Sequence, residues 1–385
     1  MRQLSRAGLI AGLAFAAACS DTSGPITPPN TESYAPSDHG VSAVGMITVY
    51  TQNLYVGADV DAVIAAIGSG DQQAALQALG DAIATLHRTS FATRAAAIAE
   101  EIARARPDVV GFQEGSKIDV DLSPLGLPLI AHEDFLATLR SALDARGLGN
   151  YVLADSVTNI QASLVGGMVS LIDYDIMLVN TKRVTVGSIV KRNFTNNNGE
   201  FGGINFLRGF VEARITIQGR DYVVVTTHTE GTDLTPLVDY HQLHAQQMQE
   251  IVDEVNKVDA PAIVIGDLND HDTSPMYQVM TDAGFADVWR ALRPHVEGNT
   301  CCHLSDLSDK LPTPALFDER IDYVFARGLG HVNRDVNGVI VRYGLLPSDR
   351  LVGPEGTIWP SDHAGLVARL MTPPDRGHHP MIAAN

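Results

Sequence analysis

The feature that most constrains this chain is a repeated pattern in which a short apolar, β-branched run adjoins a polar cluster. Each cluster places a carboxylate, an amide or an imidazole where a strand would leave the core. The seven segments are 51–54, 107–114, 173–178, 225–228, 263–269, 320–325 and 360–364. Strand ends that converge on one edge of a sheet form a pocket with rigid walls. The pattern therefore predicts one polar site on a strand-rich scaffold.

Strand and helix patterns alternate along the middle of the chain. Apolar β-branched runs predict strands at 46–51, 108–112, 174–179, 208–217, 221–228, 261–266, 320–326 and 363–370. Helical patterns predict helices at 58–67, 71–87, 92–106, 132–146, 237–257 and 275–283. Neighbouring strands with a short connection, such as 208–217 and 221–228, form hairpins and hence antiparallel or mixed sheets. The residues alone therefore predict an α/β sandwich with mixed sheets.

The first 19 residues have the composition of an export signal. A basic start with Arg2 and Arg6 precedes an uncharged run that ends in small residues before Cys19. The run is shorter than the roughly 20 residues that span a bilayer. Its end resembles a bacterial lipobox, in which the cysteine is acylated. We therefore expect an exported cell-envelope lipoprotein, on the periplasmic or outer-membrane side, held in the membrane through Cys19. Ordinary cleavage nearby would instead give a secreted protein.

Composition also divides the rest of the chain. Residues 20–44 are rich in Ser, Thr, Pro and Gly, cannot bury a core and predict a disordered tether. We expect the folded domain at 45–372 and a tail at 373–385, beginning at Pro373-Pro374. The chain has three cysteines, so its fold does not rest on a disulfide framework.

The charge balance bears on the class of partner. The formal net charge is −18. Affinity for nucleic acid comes mostly from basic groups that neutralise phosphates, so this charge disfavours general nucleic-acid binding. A bound divalent cation can invert the local field, so a nuclease that binds its substrate locally through a metal stays open.

Two short motifs are the most specific signals in the chain: Gly266-Asp267-Leu268-Asn269 and Ser361-Asp362-His363. With these, residues 46–370 resemble the endonuclease/exonuclease/phosphatase family, which includes pancreatic deoxyribonuclease, apurinic endonucleases, neutral sphingomyelinases and inositol-polyphosphate phosphatases. The resemblance implies a deoxyribonuclease I-like fold, a four-layer α/β/β/α sandwich with two mixed β-sheets.

The resemblance also implies a metal site. Glu114 would be the principal carboxylate ligand of Mg²⁺, with Asn53 close beside it and Asp362 as a second metal-side carboxylate. Hard oxygen ligands suit Mg²⁺, which usually takes one or two carboxylates together with waters and substrate phosphate. Mn²⁺ would be a substitute. The sequence has no Cys/His pattern at the spacing of a structural zinc site, which agrees with this choice.

Catalytic roles follow from the same resemblance. Asp267 would align or deprotonate the attacking water, and Asn269 would help to hold the water and the phosphoryl oxygen. His363 would hydrogen-bond the scissile phosphate and be oriented by Asp322. A carboxylate beside an imidazole favours the charged form, which can stabilise negative charge in the transition state.

A second histidine completes the set that the resemblance implies. His228 would also face the phosphate, with Asp175 as its carboxylate partner. Arg208 would add a cationic contact to the phosphate, and the alternative is an exposed structural arginine.

Two segments depart from the family pattern. Residues 54–90 have room for more helices than most relatives, and they form either a lid or wall beside the metal or a helical hairpin that only adds bulk. Cys301 and Cys302 are adjacent, and neighbouring cysteines rarely bond to each other. We interpret them as small buried thiols, with a disulfide or a metal role as the alternatives.

These observations predict an enzyme that hydrolyses a phosphodiester or a phosphomonoester by in-line attack of water. The substrate is a phosphate ester that the sequence does not identify; a nuclease and a sphingomyelinase-like lipid hydrolase are both open. We expect a monomer. The alternative is a catalytically inactive binding module displayed at the cell surface. An inactive module would be expected to lose part of the polar set, and the sequence has all of it.

Overall fold

The computed structural model describes residues 45–201, 203–231, 238–313, 315–330 and 336–372. The predicted signal, tether and tail at 1–19, 20–44 and 373–385 lie outside the described residues. In the part of the chain that is described, no helix has both the length and the apolar character needed to cross a membrane.

Within the described residues, seventeen strands form two large mixed sheets and a small third one. In chain order the strands are β1 (Gly45–Asn53), β2 (Val109–Asp121), β3 (Ile130–Asp134), β4 (Tyr151–Leu164), β5 (Val169–Asn180), β6 (Val184–Asn193), β7 (Gly199–Phe201), β8 (Ile204–Phe206), β9 (Gly209–Ile217), β10 (Arg220–His228), β11 (Ala262–Asp267), β12 (Ala286–Asp287), β13 (Asp322–Arg327), β14 (Gly338–Tyr343), β15 (Leu351–Gly353), β16 (Gly356–Ile358) and β17 (Gly365–Thr372). The first sheet has the order β14-β17-β1-β2-β5-β4-β8-β7, with β3 beside β2. The second has the order β12-β13-β11-β10-β9-β6, and β15 pairs with β16.

The described residues also form seven α-helices. They are α1 (Val60–Gly68), α2 (Gln72–Thr89), α3 (Phe91–Ala105), α4 (Phe135–Ala145), α5 (Tyr240–Val255), α6 (Pro275–Asp282) and α7 (Val288–Leu292). Each of the six helices predicted from the sequence is present. The one predicted at 132–146 begins only at Phe135, because the residues before it form β3 and the Asp134 side chain caps the helix by accepting from Ala137 N.

The layers follow from which faces are apolar. Val49 from the first sheet and Val224 from the second lie in one core between the two sheets. The outer face of the first sheet packs on α3 and α4, where Phe112 and Ile98 share a cluster. The outer face of the second sheet packs on α5 and α6, around Met248. The predicted α/β/β/α sandwich with two mixed sheets is confirmed.

A buried proton chain lies under α3. The Tyr50 hydroxyl lies 2.6 Å from both Gln52 Oε1 and Glu101 Oε2. A hydroxyl has a single proton, so it cannot donate to both oxygens. Burial raises the pKa of Glu101 to about 7, although the Tyr50 contact opposes this shift. Tyr50 donates to Glu101 when that carboxyl is ionised; when it is protonated, below about pH 7, Glu101 donates to the Tyr50 oxygen and Tyr50 donates to Gln52.

This carboxyl predicts a pH dependence of stability. Its pKa is higher in the folded chain than in the unfolded chain, so its contribution is fully present below about pH 4.5 and is lost as the pH rises through about 7. The Glu101→Gln variant is therefore expected to gain about 3 kcal/mol in free energy of unfolding, relative to the parent, between pH 5 and pH 8. Urea unfolding at the two pH values measures this difference. The exposed neighbour provides the control, Glu100→Gln, which should show no such gain; an equal gain there would refute the assignment.

Candidate active site

The sheet registers bring the predicted residues to one edge of the sandwich. Asn53 ends β1, His228 ends β10 and Asp267 ends β11. β10 and β11 are parallel, and His228 is the register partner of Asp267. On the other side of β11, Asp267 is the register partner of Asp322 at the start of β13. Three polar side chains of the second sheet therefore stand in adjacent positions.

Gly266 allows this close arrangement. Its φ of +152° is one that side chains with a Cβ rarely adopt. A Cβ at this position would collide with the carbonyl oxygen of Thr227 on β10. The glycine directly before Asp267 is therefore required by the approach of two backbones.

Asp267 is the centre of the contacts. Its Oδ2 accepts from Asn53 Nδ2 at 3.0 Å, and its Oδ1 accepts from Asn269 N at 3.0 Å. The same Oδ2 lies 3.6 Å from His228 Nε2 and 3.8 Å from His363 Nδ1. The carboxylate therefore faces both histidines that the sequence singled out.

Glu114 lies on the other side of Asn53. Asn53 Nδ2 also donates to Glu114 Oε1 at 2.9 Å, and Glu114 Oε2 accepts from Val56 N at 2.8 Å. The register of β2 shifts between Phe112 and Gly115, and Glu114 has a φ of 56°. A bulge of this kind re-aims a side chain, and left-handed backbone at a bulky residue persists only where its surroundings enforce it.

Negative charge accumulates around Glu114. Burial raises the pKa of Asp362 to about 7. The charge of His363 opposes this shift, and the charge of Glu114 adds to it. Burial and the charge of Glu114 raise the pKa of Asp173 to about 6. These raised pKa values indicate that the site holds more buried carboxylates than its positive charges can balance. The carboxylate oxygens of Glu114 and Asp362 therefore suit a hard divalent cation. Asn53 turns its Nδ2 toward Glu114, and its Oδ1 accepts from Tyr55 N at 2.8 Å.

His363 forms the pair that the sequence predicts with Asp322. Its Nδ1 lies 2.8 Å from Asp322 Oδ2. Burial would lower its pKa, but the carboxylates of Asp322, Asp362 and Asp267 outweigh burial and raise the pKa well above the usual value. The imidazole is therefore a cation at neutral pH.

His228 has a closer partner than the predicted one. The guanidinium of Arg208 lies 2.9 Å from its Nδ1, whereas Asp175 Oδ1 is 4.0 Å away. Asp175 Oδ1 instead accepts from Asn159 Nδ2 at 2.7 Å. The predicted Asp175–His228 pair is therefore present as an ion-pair contact at 4.0 Å, and the Arg208 guanidinium lies closer to the same nitrogen.

The two histidines consequently differ in charge. Burial and the charge of Arg208 lower the pKa of His228 well below the usual value, so it is neutral. Arg208 lies 2.9 Å from Nδ1 of His228, and Asn269 Nδ2 lies 2.9 Å from its Nε2, so both ring nitrogens have polar neighbours. The site therefore pairs one cationic imidazole with one neutral imidazole on either side of Asp267.

Arg208 is buried rather than exposed. It is 4% exposed, lines the cleft, and its Nε lies 3.4 Å from Glu230 Oε1. The alternative of an exposed structural arginine is therefore wrong. Its φ of 22° and that of 47° at Asn269 add two more left-handed residues to this site.

The site opens into a cleft of about 280 Å³. The segment 54–90 supplies one wall, because Val60, Asp61 and Ile64 of α1 line the cleft. The rest of the segment is anchored by α2, whose Leu86 joins an apolar cluster with β2 and β3. Asp59 caps α1 by accepting from Ala62 N and also lines the cleft.

The adjacent cysteines lie beside the site. The sulfurs of Cys301 and Cys302 are in contact, and the interpretation of the pair as thiols, with a disulfide or a metal role as the alternatives, stays a prediction. The Cys302 sulfur lies 3.9 Å from Nε2 of His363. The pair therefore forms part of the surroundings of this imidazole.

Some residues of the site carried no role in the sequence analysis. Asp173 accepts from Ser116 Oγ at 2.9 Å and lines the cleft. It lies two residues before Asp175 on β5, and this strand spacing, which puts both carboxylates on one face, was the available signal. His303 also lines the cleft, held by Asp309 Oδ2 at 2.8 Å from its Nδ1, and no comparable pattern marks it.

Known proteins share this fold. The Endonuclease/Exonuclease/phosphatase family matches residues 85–363 of the chain. An endonuclease/exonuclease/phosphatase from Beutenbergia cavernae DSM 12333 is 21% identical, with a TM-score of 0.54 over 85% of this chain and 72% of that one. A family protein from Bacteroides thetaiotaomicron is 14% identical, with a TM-score of 0.53 over 87% and 98%. D. rerio TDP2, solved with a single-strand DNA product, is 17% identical, with a TM-score of 0.51 over 85% and 99%. No curated protein sequence matches the chain.

Proposed function

Because the chain belongs to the endonuclease/exonuclease/phosphatase family, whose members are phosphoesterases, we propose that it hydrolyses a phosphoester by in-line attack of water. The observation that carries this proposal is the contact chain through Asp267. Asn53 joins this carboxylate to Glu114, and the cationic His363 faces it from 3.8 Å. Asp267 can thus take a proton beside the cationic His363, which can neutralise negative charge on the phosphate.

The residues divide the work in this proposal. Burial, reinforced by Asp322, raises the pKa of Asp267 to about 6, close to the operating pH that suits a general base. Asp267 takes a proton from water that the Asn269 amide helps to hold. His363, kept charged by Asp322, hydrogen-bonds the phosphoryl oxygen as negative charge develops on it.

A divalent cation completes the set. Glu114, Asn53 and Asp362 would hold it, and Mg²⁺ is the cation we propose, with Mn²⁺ as a substitute. When bound, such an ion neutralises phosphate oxygens and orients the ester. The family is generally dependent on divalent metal, which supports this assignment.

The cleft bears on the substrate. Asp59, Asp61, Glu114 and Asp173 line it, and Arg208 is buried at one side. With a net charge of −18, this lining favours a small phosphodiester over a long polyanion. The single-strand DNA product in D. rerio TDP2 keeps a nuclease as the next candidate, ahead of a lipid hydrolase.

The test is hydrolysis by the purified full chain with Mg²⁺ or Mn²⁺. The substrates are bis-nitrophenyl phosphate, a nitrophenyl phosphomonoester, plasmid DNA and sphingomyelin. We expect turnover of the diester that a chelator abolishes and Mg²⁺ restores. Turnover that survives chelation would contradict the metal-dependent mechanism, and no turnover of any substrate would favour the inactive binding module.

The Glu114→Gln variant tests the metal assignment. Glutamine keeps the shape and one acceptor oxygen but loses the negative charge that attracts the ion. We expect the Mg²⁺ concentration for half-maximal activity to rise by about 10- to 100-fold. The matched control is Glu133→Gln, a half-buried glutamate on β3 that does not line the cleft. An unchanged Mg²⁺ requirement in Glu114→Gln would remove this residue from the metal site.

A further inference from the structure

A second group of metal-type ligands lies outside the cleft. His241 and His244 are three residues apart on α5 and therefore share a face. Asp270 follows β11 and points both of its oxygens at them. Asp270 Oδ1 lies 2.8 Å from His241 Nδ1, and Oδ2 lies 3.1 Å from His244 Nδ1. One donor atom from each of the three lies within 4.8 Å of the other two.

We propose that His241, His244 and Asp270 form a second metal site, for a borderline transition-metal ion such as Zn²⁺. Two imidazoles and one carboxylate form a zinc donor set, whereas Mg²⁺ takes oxygen donors. Zinc bonds of about 2.0–2.1 Å place tetrahedral donors about 3.3 Å apart. The two nitrogen–oxygen distances of 2.8 and 3.1 Å would need to open by only a few tenths of an ångström.

The surroundings are prepared for an ion. His244 is 3% exposed, and its Nε2 contacts the carbonyl oxygen of Glu230. That contact fixes the ring with Nδ1 toward Asp270, as outer partners commonly do for metal-binding histidines. Asp270 is fully buried, while the His241 side chain is 55% exposed. An ion can therefore enter past His241 and find two ligands already held.

A third histidine lies nearby, and the loop that carries Asp270 links the site to the cleft. The His271 ring lies 5.7 Å from that of His241, between ring centroids. Asp270 directly follows Asn269, so an ion held here would fix the loop that carries Asn269. The Tyr323 hydroxyl, which donates to Asp270 O at 3.0 Å, already holds the same loop from β13.

Zinc titration of the untagged full chain tests the site. The chain is stripped with chelator and titrated calorimetrically with Zn²⁺ in excess Mg²⁺. We expect one tight zinc equivalent, and an unfolding temperature that rises with zinc because the ion binds the folded chain. His241→Ala should weaken zinc binding by more than about tenfold and remove the thermal shift.

Two further variants make the outcome specific. His132→Ala removes an exposed histidine that also faces a carboxylate, Asp119 at 3.2 Å, and should leave zinc binding unchanged. Glu114→Gln should also keep it, because that residue belongs to the cleft. Unchanged zinc affinity in His241→Ala would overturn the proposal. Loss of the zinc equivalent in Glu114→Gln would overturn it as well, since the ion would then lie in the cleft.

Discussion

Replacing Asp267 by asparagine is expected to lower kcat by about 10²- to 10⁴-fold. An amide cannot take a proton from the attacking water. It also offers only one acceptor oxygen, whereas the carboxylate accepts from Asn53 Nδ2 and Asn269 N through different oxygens, each at 3.0 Å. The kinetics of bis-nitrophenyl phosphate hydrolysis at saturating Mg²⁺ measure the loss.

Stability should change differently from activity in this variant. The pKa of Asp267 is raised to about 6 by burial and by the nearby Asp322, so its charged form costs folding free energy above that pH. A neutral isostere removes this cost but gives up one of the two accepting oxygens. We therefore expect the two effects to offset each other at pH 8, and the unfolding temperature to stay within about 5 °C of that of the parent chain.

The combination separates a catalytic role from a structural one. A surface substitution of the same kind, Asp253→Asn on α5, should leave both kcat and stability unchanged, since Asp253 is exposed and accepts only from Gln249 Nε2 among the contacts described. Retained kcat in Asp267→Asn would remove this residue from the reaction. A loss of kcat accompanied by a collapse in stability would leave a structural role instead.

The sequence could predict the fold because its strongest signals are local. Buried strands such as β10 and β11 read as continuous β-branched runs, and amphipathic helices such as α3 repeat their apolar residues every three or four positions. Half-exposed strands such as β4 and β6 were not predicted. Few of their residues are buried, so their patterns lack an apolar face.

The site was predictable wherever a residue ends a buried strand. Asn53 ends β1 of the first sheet and Asp267 ends β11 of the second, and the packing of the two sheets brings their side chains together. The partner of His228 was not predictable in this way. Asp175 reaches toward it from β5 of the first sheet and Arg208 from just before β9 of the second. Only the packing of the two sheets decides that the arginine is at 2.9 Å and the aspartate at 4.0 Å.

The wall formed by α1 shows the same limit. Its sequence indicates a helix with an aspartate at its start, which caps the helix wherever the helix lies. Its place beside the cleft depends on how α2 packs on β2 and β3, a contact between segments far apart in the chain. Long-range packing of this kind has no signature in a single local pattern.

Replacing His363 by alanine is expected to lower kcat by about 10³-fold, the loss of one donor aimed at developing negative charge. Its partner, Asp322, acts only through His363. Asp322 lies 2.8 Å from His363 Nδ1, keeps the ring charged and fixes its orientation. We therefore expect Asp322→Asn alone to reduce kcat by a smaller factor, about 10- to 100-fold.

A double-mutant cycle separates these roles. If Asp322 works by positioning His363, then Asp322→Asn should cause no further loss of kcat in a chain that already carries His363→Ala. The matched histidine substitution is His132→Ala, at an exposed position on β3, and should leave kcat unchanged. Multiplicative losses in the double variant would mean that Asp322 acts on the substrate or on Asp267 directly, since their side-chain oxygens and His363 Nδ1 all lie within 4.8 Å. Only a mild loss of kcat in His363→Ala would mean that His363 does not bind the phosphate. Of the two imidazoles that face Asp267, the neutral His228 would then be the one that does.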